Sequence, residues 1–167
     1  AVVFGPRGRT PAADFCWLLP RTVGLVFPPA LLLALNAARV KNCDPAMGLE
    51  FLVLIPVVSA VVVQGLVWSA AWITTRPLLQ WLLVFGVLVG DGVAFVCRLA
   101  LQPPITGHSL LFGWFAGSIY DEALSVPDHL WWYRLTLVGA VASVVLSMEL
   151  WAARRAGVRS RPVLVCL

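Results

Sequence analysis

Four blocks of apolar residues, each bounded by charge, outline the chain. A helix needs about 20 apolar residues to cross a hydrocarbon core of ~30 Å at ~1.5 Å per residue. The first block runs from Thr22 to Ala38, between Arg21 and the pair Arg39 and Lys41. It contains Pro28 and Pro29, which remove two helix donors, so a kink is expected there. The second runs from Phe51 to Ile73, with Glu50 before it, Arg76 after it and Pro56 near its start. The third opens on Pro77, a residue suited to a first helical turn, and runs to Cys97, interrupted by Asp91. The fourth runs from Leu130 to Ala153 and ends in "ARRAGVRSR". The pattern predicts an all-α, polytopic four-helix transmembrane bundle with spans at 22–38, 51–73, 77–97 and 130–153. An N-terminal segment, 1–21, precedes this membrane domain, 22–153, and a basic tail, 154–167, follows it.

Small residues recur every four positions within these blocks. Gly65 and Ser69, Gly86 and Gly90, and Gly139, Ser143 and Ser147 are each spaced for close helix contact. They are expected to pack the helices against one another.

Composition makes lipid the main solvent. Apolar residues are 60% of the chain and charged ones 12%, against about 25% charged in a soluble domain. Too little charge remains to cover a water-facing surface, and mean hydropathy is +0.91. The net charge of +4 is spent flanking apolar blocks, so it reads as topology and excludes a nucleic-acid surface. With the N-terminus inside, that side holds Arg7, Arg9, Arg21, Arg76, Arg154, Arg155, Arg159 and Arg161. The other side holds Arg39, Lys41, Arg98 and Arg134, so a plasma or inner membrane with both termini cytoplasmic is expected. Trp17, Trp68, Trp72, Trp81, Trp131, Trp132 and Trp151 fall near block ends, as interfacial tryptophans do. Cys16, Cys43, Cys97 and Cys166 are scattered without a CxxC, so free thiols are expected rather than a zinc site.

The connection from Leu99 to His129 is longer than two adjacent helices need. Its centre holds Phe112, Trp114, Phe115 and Tyr120, with Gly113 and Gly117 between them. At this length it cannot cross the bilayer, so it should be an interfacial or re-entrant loop, as a short helix or turn covering the third helix. His108, Phe112, Trp114, Phe115, Tyr120, Asp121 and Glu122 make up the candidate outer-loop surface.

The stretches "LLFGWFAGSIYDEAL" and "NCDPAMGLEFLVLIPVVSA" resemble the N-terminal multi-pass membrane region of large uncharacterised bacterial proteins. The resemblance rests on an FFGYFxGxxYD-like outer loop, matched at Phe112, Gly113, Phe115, Gly117, Tyr120 and Asp121, and on Cys43, Asp44 and Gly48. It implies a membrane module followed by a soluble domain in a longer protein, and no particular activity.

Asp91 is the ionisable residue deepest in a span, where charge costs ~2.5–3.5 kcal/mol on insertion scales. It should face a polar partner or cavity, and Arg98, Gln64 and Asn36 complete the candidate intramembrane site. Glu149 should form a snorkelling pair with a nearby arginine. No catalytic set, cofactor motif or metal-ligand spacing is present; "YD" and "VGDG" occur in the reverse of the order an intramembrane aspartyl protease would use. The first reading is a membrane anchor or scaffold, with lipid, other membrane subunits or a fused soluble domain as partners. The alternative is a small transporter or channel component using Asp91 in a polar cavity. Enzyme chemistry is the poorest fit.

Overall fold

Each helix begins where the sequence can leave its first N–H groups satisfied. In the computed structural model, described at residues 10–37, 45–101, 106–110, 113–116, 126 and 128–155, α1 spans Pro11–Gly24. Thr10 caps it by accepting from the Ala13 N–H, with Pro11 in the first turn, where no donor is needed. The first candidate span is therefore Pro11–Asn36, beginning well ahead of Thr22 and taking in Arg21. Its break falls at Leu25 and Val26, just before the two prolines, because Pro28 and Pro29 sit in the first turn of α2 (Phe27–Ala37) and disturb no interior bond there.

The second span contains a widened turn. After α3 (Pro45–Leu52), residues Val53–Val57 are π-helical, and α4 (Val58–Ile73) resumes the ordinary winding. Pro56 supplies the cause: it has no N–H, and its ring crowds the preceding turn. The Val58 N–H reaches back to the Val53 carbonyl, which rotates everything after it relative to α3. A tight turn follows. Thr74 is extended, its carbonyl accepts from Gln80 Nε2 at 2.7 Å, and α5 (Pro77–Leu101) runs back antiparallel to α4. The last helix among the described residues, α6, spans Asp128–Arg155.

Among the described residues, four helical stretches are long and apolar enough to cross a membrane: Pro11–Asn36, Ala46–Ile73, Pro77–Arg98 and Asp128–Arg154. The fold is an all-α four-span bundle with one small insert. Leu32, Leu78, Trp81, Val89 and Val96 are all at least 60% exposed, an arrangement that only lipid or another apolar surface satisfies.

The core lies where α1, α4 and α6 meet. Ala12, Phe15, Trp68 and Val145 are buried there, flanked by Leu18, Leu19, Trp72, Val141 and Met148. Phe15 meets Trp68 edge to face at 5.7 Å. Trp68 is thus a core residue, not an interfacial one, because the α1 helix covers it. Gly65 lets α4 and α6 touch: a Cβ there would sit 2.9 Å from Val141 Cγ1. Gly86, Gly90 and Gly139 have nothing within 4 Å of a built Cβ, and Ser143 and Ser147 are exposed. Those two stripes therefore face outward, against the expectation that they pack the bundle.

Polar contacts pin the ends of the core. The Ala12 N–H donates to Glu149 Oε2 at 2.9 Å, so Glu149 caps α1 from α6 instead of snorkelling to an arginine. Gln64 Nε2 donates to the Phe15 carbonyl at 2.9 Å. The start of α1 and the end of α6 therefore share one end of the bundle, called the terminal end below. Cys97 is a free, exposed thiol, whereas Cys16 is disulfide-bonded, to a partner outside the described residues; free thiols throughout are not what is found.

Candidate functional site

The opposite end of the bundle is built on the long connection. Its described part is a β-hairpin, not a helix: β1 (Thr106–Ser109) pairs antiparallel with β2 (Gly113–Ala116), Ser109 opposite Gly113 and Thr106 opposite Ala116. Thr106, Trp114 and Phe115 are of types that favour strands. The hairpin is wedged in the bundle, with β1 against α5 and β2 against α6 and the widened turn of the second span. Helices thus cover edges that lipid could not hydrogen-bond.

The turn of the hairpin reaches the one carboxylate set deep in α5. Ser109 Oγ donates to Asp91 Oδ2 at 2.6 Å. The Leu110 N–H donates to the same group, 3.2 Å from Oδ1 and 3.1 Å from Oδ2. On the other side of that residue, the Leu110 carbonyl accepts from Arg134 Nη1 at 3.1 Å and from Ser59 Oγ at 3.5 Å. Ser59 follows the π-helical turn, so the rewinding at Pro56 aims it at the hairpin. Asp91 and Arg134 are thereby joined through Leu110, whose N–H meets the anion and whose carbonyl meets the cation.

Burial makes this arrangement costly to disturb. Ser109 and Leu130 are 0% exposed and Arg134 1%, while Asp91 is half-buried. A guanidinium cannot shed its charge, so its desolvation must be offset locally by hydrogen bonds and nearby negative charge. Arg134 Nη1 has such a bond, and the Tyr133 ring lies 5.8 Å from the guanidinium carbon.

The four intramembrane candidates do not gather at one point. Asp91 is in the hairpin clamp; Arg98 is exposed further along α5; Gln64 is buried against α1; Asn36 is exposed at the end of α2. In the outer-loop set, His108 lies in β1 and Trp114 and Phe115 in β2. Phe112, Tyr120, Asp121 and Glu122 lie outside the described residues. Sequence reasoning missed Arg134, Ser109 and Ser59. Arg134 carried a usable signal: an arginine inside the fourth apolar block, after Trp131 and Trp132, requires a partner as much as Asp91 does. No family model matches the chain, and no curated protein or solved structure was found to resemble it.

Proposed function

We propose that the chain is a membrane anchor or scaffold module whose four helices hold a shaped hairpin at one face of the bilayer. The observation that supports this reading is the use made of Asp91. Both carboxylate oxygens accept bonds from the hairpin, so the acid is committed to architecture. A relay group would need to exchange its partners during each cycle. The resemblance in the outer loop supports the further reading that this module serves a longer protein, bringing a soluble domain or other membrane subunits to the bilayer.

Reconstitution distinguishes this from a small transporter or channel component. Liposomes carrying the chain should leak protons and monovalent ions no faster than empty ones. A flux that Asp91→Asn abolishes would overturn the anchor reading and favour the alternative.

The same proposal puts the terminal end in the cytoplasm of a cell whose plasma or inner membrane holds the chain. With Arg21 inside α1 and Arg134 buried in α6, the basic residues flanking the spans divide seven to three in that sense. The Cys16 disulfide weighs against it, since such bonds persist in oxidising compartments, but the charge bias acts on every span. In a background without native cysteines, Asp128→Cys should react with an impermeant maleimide in intact cells and Thr75→Cys should not. The reverse pattern would put the termini outside.

A further inference from the structure

The clamp uses only part of Arg134. Nη1 serves the Leu110 carbonyl, while Nε and Nη2 are buried and have no hydrogen-bond partner. These two nitrogens form the side-on fork of a guanidinium, whose parallel N–H groups match two oxygens on one centre. Leaving such a pair of charged donors unpaired in a site 1% exposed is costly. The partner that matches this fork best is an anion with two oxygens on one centre, because the guanidinium keeps its charge and its two free N–H groups run parallel.

Depth narrows the source. Arg134 lies six residues after the start of α6, or ~9 Å along the helix. Trp131 and Trp132, 40% and 69% exposed, mark the headgroup level just before it. A helix of 28 residues is about 42 Å long, against a hydrocarbon core of ~30 Å, so about 6 Å at each end lies among headgroups and Arg134 sits about 3 Å inside that boundary. Phosphate oxygens of lipids therefore lie within a few ångströms of the height of the fork, about the reach of an arginine side chain.

We propose that the side-on fork of Arg134 is a binding site for a phosphate oxyanion, supplied by a lipid headgroup or by phosphate in the water at that face. The fork is covered in this structure, so binding moves the covering side chains or the hairpin turn. Binding also fixes the hairpin, because the same guanidinium holds Leu110. A charged lipid at this face then stabilises the clamp.

The test uses the full chain in detergent micelles. Phosphatidylglycerol should be retained through purification and should raise Tm relative to a diacylglycerol of the same tails. Arg134→Lys keeps the charge but loses the fork, and should weaken retention roughly tenfold. Arg98→Gln, which removes an exposed arginine, should leave retention and the Tm shift unchanged. Displacement of the lipid by millimolar inorganic phosphate identifies a free oxyanion as the source; binding that phosphate cannot displace identifies the headgroup. Equal retention by wild type and Arg134→Lys overturns the proposal. If Arg134→Lys does not fold, the Tm comparison in wild type and Arg98→Gln decides: no shift with phosphatidylglycerol, or a shift lost with Arg98, overturns it.

Discussion

The two ends of the bundle are held together by different physics. At the terminal end, α1, α4 and α6 meet through Phe15, Trp68, Val145 and the close approach at Gly65. At the hairpin end, an acid and a base on different helices hold one residue of a loop between them. In lipid, apolar contact between helices gains little over contact with acyl chains, so the terminal end depends on shape. The hairpin end depends on hydrogen bonds to charged side chains, because the backbone of a loop set among apolar helices needs partners for groups that strand pairing leaves over. Shape tolerates gradual change; a clamp between charges is made or lost.

The largest effect should follow removal of one half of the clamp. Arg134→Leu leaves Asp91 without its counter-charge and the Leu110 carbonyl with a weaker partner, and should cost about 3 kcal/mol. Asp91→Leu should cost about 2 kcal/mol through the lost bond from the Ser109 hydroxyl and the loss of the acceptor for the Leu110 N–H. The double variant should cost clearly less than the sum of the two, as read from chemical unfolding in mixed micelles. Additive losses would mean that the two charges act separately.

Next comes the packed end. Gly65→Ala places a methyl group against Val141, and α4 and α6 must separate, at a cost of about 1–2 kcal/mol. Pairing it with Val141→Ala should recover part of that loss. An unchanged Tm for Gly65→Ala alone would show that the core yields more easily than its shape suggests.

Smallest of all should be Gly86→Ala and Gly139→Ala. Both positions open onto empty space, so each change should stay within about 0.5 kcal/mol in the monomer. A large loss at either would reveal a partner helix on that face.

These contrasts also explain what the sequence disclosed. Spans are legible because hydrophobic length is a local property, and three of the four begin within a few residues of the expected place. The first does not, since Arg21 looked like a boundary; in the fold its guanidinium lies 3.5 Å from the centre of the Trp17 ring and remains within the helix. Asp91 stood out because charge in a span is conspicuous. Its partners did not, because Ser109 and Leu110 are ordinary residues whose role comes from the turn that carries them. Gly65 could not be told from Gly86 or Gly139 by spacing. Which glycine meets a neighbour depends on how each helix is rotated in the bundle, and for Gly65 that rotation follows the π-helical turn at Pro56.

The central claim is that the loop turn enters the bundle and is held there at Leu110. Hydrogen–deuterium exchange of the Leu110 amide tests it most directly. That N–H should exchange slowly in the wild-type chain, at a rate comparable with the middle of α4, and should become fast in Asp91→Leu while α4 is unchanged. Rapid exchange at Leu110 in wild type, or slow exchange that Asp91→Leu does not alter, would contradict the account.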